Sequence, residues 1–526
     1  MNRLVVVSNR VPVPSAAGAQ AGGLAVALDG LMEKRGGLWF GWSGRISETA
    51  RETPVEIATH GNVVYATVDL TGEEHSRYYN NFCNGLLWPL LHTMPELMSF
   101  DRRDAQAYRE VNARLADALV PLLKPTDLLW VHDYHLLALP AMLRARGVRN
   151  AVGFFLHIPF ATAGVIAAAP EVGGLVRDML AADLIGFQTE NDLENFAATA
   201  QPFAGMAPAG TALAGAPLAG AAPAGAAPAG SGWTQLSSRR ARLGVFPVEI
   251  EPREFAATAD AAWRSPATER LRRSLSEQSL ILGVDRLDPT KGLLQRLGGL
   301  RRLFEKRPEW RRRVTLLQIA AVSRKEVASY RELRAALDRE AGGVNSDWGD
   351  PDWTPVRLVA KAGARSVIAG YMRQAKVGLV TPLRDGMNLV AKEFVAAQDP
   401  QDPGVLVLSR FAGAARQLED ALLVNPHDTD EMADAIHTAL RMPLGERQAR
   451  WQGMWNSLRR ASPESWGRTF LAALLHAAAP ARTTTNRPRW PAPVSEIPAP
   501  SLQVPQRMRS EIEAARSPIG DPRHLI

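Results

Sequence analysis

Two sets of short, unbroken apolar runs constrain the fold of this chain more than any other feature. A strand that is buried on both faces shows such a run instead of an alternation of apolar and polar residues. Helix-period segments separate the runs, which is typical of parallel strands linked by covering helices. The pattern predicts an α/β protein with two doubly wound domains. The runs occupy residues 4–7, 128–131, 152–156 and 184–186, then 280–284, 314–319, 377–380 and 405–408.

Composition indicates where the two domains begin and end. Residues 204–232 repeat Ala, Pro and Gly with few large apolar side chains, so we expect a flexible insertion within a first domain of residues 1–243. A second domain is expected over residues 244–461. The Ser462-Pro463-Glu464 pattern predicts a final packed helix over residues 462–479, because it combines an N-cap, a first-turn proline and an early acid. Pro and Arg dominate residues 480–526, which predicts a disordered tail.

Charge and cysteine content limit the partners of the chain. The formal net charge is +7, but seven arginines and four acidic residues follow Pro480, so the tail alone supplies +3. Because no dense run of Lys and Arg is interleaved with aromatic residues, a small acidic substrate is favoured over nucleic acid. The single cysteine, Cys83, excludes an internal disulfide and a multi-thiolate metal site. We expect a cytoplasmic protein, since the sequence shows neither a secretion signal nor a membrane span.

The segment of residues 381–393, TPLRDGMNLVAKE, is the most informative part of the sequence for function. It follows a predicted strand and breaks into a loop that opens a helix, where free backbone N–H groups can bind an anion. Asp385, Asn388 and Glu393 add groups that bind hydroxyls. A sugar joined to a diphosphate and a ribose requires this combination, so the segment predicts a nucleotide-sugar site.

Polar residues also follow other predicted strands, whose carboxyl ends meet at one edge of a parallel sheet. Each one alone has an ordinary explanation, because charged residues usually bracket strands. Their shared placement favours a functional site. The residues concerned are Arg10, His132, Asp133, His135, His157, Arg286, Lys291 and Arg324.

Arg286 and Lys291 surround one predicted strand-to-helix turn. A bidentate guanidinium and a compact ammonium are complementary phosphate ligands. They would stabilise negative charge on a departing diphosphate in a cleft with little water. Arg10 and Arg324 would then be available for a second anion, such as the phosphate of an acceptor. The simpler alternative is a surface arginine that pairs with a local carboxylate.

Other motifs are weaker or missing. Gly22 and Gly23 precede a helical stretch and would let the backbone approach a phosphate or sugar, although such a pair is more often only a turn. The dinucleotide-binding and P-loop glycine patterns do not occur, and Gly41-Trp42-Ser43-Gly44 is one residue short of a nucleophile elbow. We interpret Asp428 and Asp430 as helix capping and predict no catalytic metal.

Once these residues are collected, the chain resembles the retaining glycosyltransferases called trehalose-6-phosphate synthases. The resemblance covers residues 1–478 apart from the predicted insertion. It implies the GT-B architecture, in which two Rossmann-like domains face a central cleft and the last helix crosses back to the first domain. The matching stretches are residues 3–10, 21–26, 36–44, 130–137, 153–160, 186–192 and 379–398.

The resemblance implies transfer of glucose from UDP-glucose to glucose 6-phosphate, without a cofactor or metal. It is compatible with a homo-oligomer and implies neither a nucleic-acid nor a membrane partner. The acceptor would be held by Arg10, Tyr79, Trp88, Asp133 and Arg324. The donor would be held by Gly22, Gly23, Arg286, Lys291, Asp385, Met387, Asn388, Leu389, Val390, Ala391, Lys392 and Glu393.

For the mechanism, the resemblance implies attack on the same face as the leaving group departs, with no protein nucleophile. The catalytic residues would be Arg286, Lys291, His157 and Asp133. Arg286 and Lys291 would bear the developing charge, and His157 would line the site beside the anomeric carbon. The donor phosphate would accept the proton of the acceptor.

The chain departs from the family pattern at several positions. Glu249 stands where the family has Gly, and we expect its side chain to face outward, away from a phosphate cleft. Asp285 and Pro289 replace a Glu and a Tyr around Arg286, and residues 321–324 lack the usual Pro-Thr. Residues 359–366 diverge where the family contacts the base of the donor.

Two alternatives differ from this interpretation. The first is a related transferase that uses GDP-glucose or a phosphorylated polyol acceptor. The second is a non-catalytic sugar-phosphate sensor, which would be expected to lack Arg286, Lys291 or Asp385. All three residues are present.

Overall fold

The computed structural model describes residues 2–14, 23–52, 54–203, 234–236, 241–324 and 326–478. Within them the chain forms two lobes, each built on its own sheet. The predicted insertion at 204–232 and the predicted tail at 480–526 lie outside the described residues.

The N-terminal lobe contains a nine-stranded sheet among the described residues, in the order β3-β4-β2-β1-β5-β6-β7-β9-β8. All neighbouring strands are parallel except two antiparallel pairs at the sheet edges, β3 with β4 and β8 with β9. The last parallel strand, β9, spans the predicted domain boundary at residue 243. The strands are β1 Leu4–Arg10, β2 Gly37–Ile46, β3 Glu56–His60, β4 Val63–Leu70, β5 Leu128–His132, β6 Ala151–Phe155, β7 Leu184–Phe187, β8 Thr234–Leu236 and β9 Ala241–Val245.

Helices connect these strands. The described α-helices are α1 Gly23–Arg35, α2 Gly72–Glu74, α3 Trp88–Leu91, α4 Arg102–Leu119, α5 Leu139–Ala145, α6 Ala163–Ile166, α7 Val172–Met179 and α8 Glu190–Ala200. A π-helix, His75–Leu87, joins α2 to α3. Short 3₁₀ turns cover Pro95–Leu97, Val120–Leu122, Tyr134–Leu136 and Gln201–Phe203.

The C-terminal lobe contains a parallel six-stranded sheet among the described residues, in the order β12-β11-β10-β13-β14-β15. The order in which successive strands are added to the sheet reverses between β10 and β13, and ligands of open α/β sheets bind at such a switch point. The strands are β10 Ser279–Arg286, β11 Val314–Ala321, β12 Val356–Val359, β13 Val377–Val380, β14 Val405–Ser409 and β15 Leu422–Val424.

Helices cover both faces of this sheet as well. They are α9 Pro252–Trp263, α10 Pro266–Leu275, α11 Leu293–Lys306, α12 Ala328–Trp348, α13 Arg365–Gln374, α14 Leu389–Ala397, α15 Thr429–Arg441, α16 Leu444–Leu458 and α17 Pro463–Ala478. The 3₁₀ turns are Pro289–Lys291, Pro308–Trp310 and Gly413–Arg416. Two doubly wound sheets confirm the predicted fold class, and each of the eight apolar runs overlaps a strand.

The last helix, α17, packs on the N-terminal lobe. Its buried face consists of Trp466, Phe470, Leu471 and Leu474. The Phe470 ring stacks on Trp130 of β5, with ring centroids 4.4 Å apart. A side chain at position 153 in β6 would collide with Phe470, since a Cβ there would lie 2.7 Å from its ring. Helix α17 therefore packs closely on one face of the N-terminal sheet.

No helix within the described residues combines the length and the apolar character that crossing a bilayer requires.

Candidate active site

The loop after β13 presents the start of α14 to the N-terminal lobe. Asn388 caps the helix at a φ of 72°, a left-handed conformation that asparagine tolerates, and its side chain accepts a hydrogen bond of 3.3 Å from Ala391 N. A Cβ at Gly386 would lie 2.2 Å from the carbonyl oxygen of His157, so the loop touches the other lobe at a position that requires glycine. The predicted loop and helix start are therefore both present and lie at the junction of the lobes.

Lys291 and Asp385 meet at the switch point of the C-terminal sheet. Lys291 Nζ lies 2.5 Å from Asp385 Oδ2, and Asn388 Nδ2 donates to the same oxygen at 2.9 Å. Both charged side chains are largely buried, with 12% and 14% of their surface exposed. The backbone of Gly292 approaches Thr381 so closely that a Cβ would lie 2.3 Å from its carbonyl oxygen. The turn that carries Lys291 is thus packed directly against the loop that carries Asp385.

A buried arginine, Arg296, stabilises the turn that carries Lys291. Arg296 is fully buried and donates to Asp285 Oδ2 at 2.8 Å, to Gln318 Oε1 at 2.7 Å and to Thr381 Oγ1 at 3.2 Å. These partners belong to β10, to β11 and to the loop after β13. Asp285 therefore has a structural use, because it is one of the groups that hold three strand ends together.

Asp288 accepts hydrogen bonds from side chains of both lobes. Its side chain is completely buried. Oδ1 accepts from Trp88 Nε1 at 3.2 Å and from Thr290 N at 3.0 Å, while Oδ2 accepts from Arg324 Nη1 at 3.3 Å and from the Tyr330 hydroxyl at 3.0 Å. Burial acts to raise the pKa of Asp288, but the nearby arginines outweigh it and the pKa is lowered. Asp288 is therefore an ionised anchor that joins Trp88 of one lobe to Arg324 of the other.

Two arginines lie against the Trp88 ring. The guanidinium carbon of Arg324 is 4.1 Å from the ring centroid, and that of Arg286 is 5.7 Å away. Arg324 also donates to the Tyr134 hydroxyl at 3.0 Å. Arg286 is exposed and forms no ion pair within the described part of the chain. Arg324 is thus fixed in place, whereas Arg286 keeps its hydrogen-bond donors for another anion.

Asp133 and His157 lie at the carboxyl ends of neighbouring strands, as their sequence positions predict. Asp133 adopts a φ of 75°, and its Oδ1 accepts from His157 N at 3.2 Å. Burial raises the pKa of Asp133 to about 6, although backbone N–H groups and two arginines oppose the shift. Burial lowers the pKa of His157 to about 3. The imidazole is therefore neutral near neutral pH, and Asp133 titrates closer to neutrality than an ordinary carboxylate.

Tyr79 belongs to a cluster of rings at the opening of the π-helix. Its ring stacks on His75 at 5.4 Å and on His135 at 5.8 Å, and Trp42 lies 5.7 Å away. Such π-helical segments occur frequently at functional sites. Tyr79 is half-buried, so its hydroxyl can serve a ligand while its ring is held by neighbours.

Glu393 of α14 pairs with Arg365, the first residue of α13. Arg365 Nη2 donates to Glu393 Oε1 at 3.1 Å. Burial raises the pKa of Glu393, and Arg365 opposes that shift. The carboxylate keeps a second oxygen for a ligand hydroxyl.

The expected outward orientation of Glu249 is wrong. Only 5% of the residue is exposed, and Glu249 Oε2 lies 2.6 Å from Lys392 Nζ. Glu249 Oε1 accepts from Gln417 Nε2 at 2.7 Å. The carboxylate is buried because Lys392, which also donates to Val248 O at 2.8 Å, is itself completely buried and requires a counter-charge. Lys392 is thus engaged with the segment that links the lobes.

The structure brings eight of the eighteen predicted residues together in three groups near the lobe junction. Their members are Trp88, Arg286 and Arg324 around Asp288; Lys291, Asp385 and Asn388; and Asp133 with His157.

The other predicted residues lie outside these three groups. The Arg10 side chain lies over Gly44, where a Cβ would be 2.7 Å from Arg10 Nε. Met387 and Ala391 are buried, and Leu389 and Val390 are half-buried in the first turn of α14. Gly23 begins α1. Gly22 lies outside the described residues.

Sequence reasoning missed Asp288, and it named His132 without its contact to His157. His132 Nδ1 lies 3.0 Å from His157 Nε2. The sequence signals were the place of Asp288 between Arg286 and Lys291, and the place of His132 at the end of a strand. Neither signal specifies a contact.

The described residues include no group of three or more His, Cys, Asp or Glu side chains that could hold a metal ion. Asp428 caps α15 as predicted, since its side chain accepts from Asp430 N and Glu431 N at 3.0 Å.

Comparison with known proteins assigns the family. The sequence profile of glycosyltransferase family 20 matches residues 2–476. The chain belongs to this family. It is therefore a glycosyltransferase, and the two lobes with their facing strand ends are its GT-B architecture.

Individual relatives agree with this assignment. The trehalose-6-phosphate synthase of Sinorhizobium fredii is 46% identical over 473 residues, which cover 90% of this chain and 98% of the relative. A crystal structure of the UDP-forming α,α-trehalose-phosphate synthase of Burkholderia xenovorans, in complex with glucose-6-phosphate, is 41% identical with a TM-score of 0.81 and covers 90% of this chain and all of that chain. An E. coli relative bound with UDP-2-fluoro glucose is 40% identical with a TM-score of 0.80, at 90% and 99% coverage.

Proposed function

We propose that this protein transfers glucose from UDP-glucose to glucose 6-phosphate, with retention of configuration, giving α,α-trehalose 6-phosphate and UDP. The main structural support is that Trp88 lies beside both Arg286 and Arg324. Arg286, which we assign to the donor diphosphate, and Arg324, which we assign to the acceptor phosphate, therefore lie at the same place between the lobes. The relatives that bind glucose-6-phosphate and a UDP-glucose analogue support both substrates.

The donor is assigned to the C-terminal side of the junction. Arg286, Lys291 and the N–H groups at the start of α14 supply positive charge for the diphosphate. Lys291 Nζ lies 2.5 Å from Asp385 Oδ2, so the two side chains are close enough for Lys291 to bind the diphosphate while Asp385 accepts hydrogen bonds from the glucose hydroxyls. Glu393, at the other end of the same segment, accepts the ribose hydroxyls.

The acceptor is assigned to the N-terminal side. Arg324, Arg10 and Tyr79 bind its phosphate, and Asp133 accepts hydrogen bonds from its sugar hydroxyls. Trp88 contributes a flat apolar wall whose indole N–H is already committed to Asp288 at 3.2 Å. The rigid position of Arg324 reduces the entropy lost when the phosphate binds.

The likeness to the retaining trehalose-6-phosphate synthases supports a mechanism in which no protein group bonds covalently to the sugar. Asp133, the carboxylate beside His157, accepts the backbone N–H of His157 at 3.2 Å, and we assign it to the hydroxyls of the acceptor. The acceptor hydroxyl attacks on the face from which the diphosphate leaves, and a donor phosphate oxygen takes its proton. Arg286 and Lys291 stabilise the charge on the leaving group, so the proposal needs no metal.

We propose that the reaction takes place in the cytoplasm, a reducing compartment in which a free cysteine such as the buried Cys83 stays reduced. The substrates are small molecules, and the proposal includes no nucleic-acid or membrane partner.

Direct identification of the product tests the proposed function. Purified full-length protein, kept in chelator, is supplied with UDP-glucose and glucose 6-phosphate, and the disaccharide phosphate is identified by mass and by the configuration of both anomeric carbons. We expect α,α-trehalose 6-phosphate and an equal amount of UDP. Parallel reactions contain GDP-glucose or phosphorylated polyols, and turnover of one of those pairs without product from the first would overturn the proposal. Arg286→Ala protein is the control for contaminating activity.

A further inference from the structure

Two loops from different lobes lie against each other beside the candidate active site. We call residues 381–388, between β13 and α14, the donor loop, and residues 156–160, which follow β6, the β6 loop. Arg384 Nη2 of the donor loop donates to Phe160 O of the β6 loop at 3.3 Å, although the two residues are 224 positions apart in the chain. A side chain of the C-terminal lobe thus bonds directly to the backbone of the N-terminal lobe.

Gly386 makes a second contact between the same two loops. A Cβ at this position would lie 2.2 Å from the carbonyl oxygen of His157 and 3.1 Å from Ile158 Cα. Arg384 and Gly386 therefore meet the β6 loop on either side of Asp385 in the chain. Asp385 is the residue that the proposed function assigns to the glucose hydroxyls, so the two contacts bracket a residue of the donor site.

A buried carboxylate of the N-terminal lobe faces the guanidinium of Arg384. Asp192, in the first turn of α8, places Oδ1 3.8 Å from Arg384 Nη2, and only 5% of its side chain is exposed. The same oxygen accepts from Phe160 N at 3.0 Å, and Oδ2 accepts from the Thr189 hydroxyl at 2.6 Å. The N–H of Phe160 is therefore held by Asp192, and its carbonyl group is bonded by Arg384.

Burial strengthens this contact between the lobes. The Arg384 side chain is 25% exposed, so most of it, like nearly all of Asp192, is removed from water. Opposite charges attract each other more strongly where less water screens them. A hydrogen bond from a charged donor is also stronger than one between neutral groups, which favours the bond from Arg384 to Phe160 O.

We propose that Arg384 is a positioning residue, which holds the donor loop against the β6 loop and thereby aligns the sugar of the donor with the acceptor. It acts through Phe160 and Asp192, and we assign it no contact with either substrate. The substrates in this inference rest on the proposed function, whereas the contact between the two loops does not.

The contact matters because the two reacting molecules are assigned to different lobes. Asp385, next to Arg384, is assigned to the glucose of the donor. Asp133, whose carboxylate accepts the backbone N–H of His157 in the β6 loop, is assigned to the acceptor. A misplacement of the reacting atoms by about 1 Å costs on the order of a hundredfold in rate. Since each substrate would still find its own lobe intact, loss of the contact should slow transfer more than it weakens binding.

Kinetics and binding of Arg384→Met protein test this difference. Steady-state rates with both substrates give kcat, and calorimetric titration with UDP gives Kd. We expect kcat to fall about tenfold while Kd for UDP stays within about twofold of the parent value. Arg384→Lys keeps a cation and an N–H donor for Phe160 O, so it should lose less. A parental kcat in folded Arg384→Met protein, equal losses in the two variants, or a loss of UDP affinity as large as the loss of kcat overturns the proposal.

Arg144 provides a matched control within one lobe. Its side chain is 25% exposed, as that of Arg384 is, and its Nη2 lies 2.8 Å from Asp183 Oδ2. It also donates to Val148 O at 2.9 Å, so all of these partners belong to the N-terminal lobe. Arg144→Met should lower the melting temperature at least as much as Arg384→Met does, and yet leave kcat near the parent value. Equal losses of kcat in the two folded variants would reveal a general effect of lowered stability and overturn the proposal.

A double-variant cycle tests whether Arg384 acts through Asp192. Asp192→Asn removes the negative charge and keeps an oxygen that can accept from Phe160 N. We expect kcat of the double variant, Asp192→Asn with Arg384→Met, to be close to that of Arg384→Met alone, because both changes break the same contact. Losses in the two single variants that combine independently would overturn the role of Asp192.

Hydrogen exchange keeps this inference separate from the function. Mass spectrometry follows the amides of residues 156–160 and 381–388 in the full-length protein without substrates. We expect both segments to exchange faster in Arg384→Met protein than in the parent, and not in Arg144→Met protein, because only the first change frees the two loops. Unchanged exchange in Arg384→Met protein overturns the inference whatever the activity. If exchange rises as expected but the wild-type protein makes no disaccharide phosphate, the function fails and the contact between the loops stands.

Discussion

The ammonium of Lys392 lies 2.6 Å from a carboxylate oxygen of Glu249, and almost none of either side chain reaches solvent. Lys392 belongs to α14, whose first turn the proposed function assigns to the donor diphosphate. Glu249 belongs to the segment that joins the lobes. The pair therefore ties α14 to the segment that joins the lobes.

Breaking this pair from one side should destabilise the protein strongly. Lys392→Met leaves a buried carboxylate without its cation, and we expect the free energy of unfolding to fall by about 3 kcal/mol. Urea unfolding of the single and double variants measures the coupling. The double variant Lys392→Met with Glu249→Gln should recover much of the loss, since both charges are then gone. Losses that simply add would show that the pair has no such coupling.

Arg286→Ala should slow turnover without unfolding the protein. Because the exposed guanidinium forms no ion pair within the described residues, the melting temperature should stay near that of the parent protein. We expect kcat to fall about a hundredfold or more, because the leaving diphosphate loses charge stabilisation. Steady-state kinetics with UDP-glucose measure the effect, and Arg286→Lys, which keeps the charge, should lose less. A near-parental rate for the alanine variant would exclude this role.

Asp133→Asn should make the protein more stable and less active at neutral pH. Burial raises the pKa of Asp133 to about 6, so the folded form holds its proton more tightly than the unfolded form does. The stability that this group contributes is therefore present below the ordinary Asp range and is lost as the pH rises through about 6. Thermal melts across pH 4 to 8 should show an advantage for the Asn variant that grows from pH 4 to about 6 and is constant above it. An equal difference at every pH would contradict the assigned pKa.

Asp288→Asn should weaken both the lobe junction and acceptor binding. The pKa of Asp288 is lowered in the folded protein, so its contribution is present above the ordinary Asp range and is lost as the pH falls toward the lowered value. At pH 7 we expect a loss of about 3 kcal/mol of stability, because Arg324 keeps a buried charge without its partner. The KM for glucose 6-phosphate should rise in the same variant.

A surface pair provides the control for Asp288. Asp352 pairs with Arg312 through exposed side chains. Because exposed ion pairs contribute little, Asp352→Asn should leave both the stability and the KM for glucose 6-phosphate nearly unchanged. If both variants behave alike, the role of Asp288 at the junction is wrong.

The sheets could be predicted well because each buried parallel strand is recognisable by itself. Val5, Val6 and Val7 of β1, for example, are all completely buried, so no polar residue could alternate with them. The loop at residues 381–393 was recognisable for a similar local reason. Its strand, its turn and its helix start are consecutive in the chain.

The contacts across the junction were not predictable in this way. Asp288 and Trp88 are 200 positions apart, and the bond between them depends on how the two lobes meet. The orientation of Glu249 was predicted wrongly for the same reason. A glutamate side chain considered alone is expected to face solvent. Burial of Glu249 becomes favourable only because the distant Lys392, which is itself buried, pairs with it.

The sequence by itself determined the two doubly wound sheets, the start of α14 and the set of cations placed at strand ends, because these depend on residues close together in the chain. Only the tertiary structure determines which of these charged side chains form ion pairs. Lys291 with Asp385, Arg324 with Asp288 and Lys392 with Glu249 are paired by folding, whereas Arg286 forms no ion pair with the described residues. The physical reason is that the energy of a charge depends on its distance from other charges and from water, and both distances are set only when distant parts of the chain fold together.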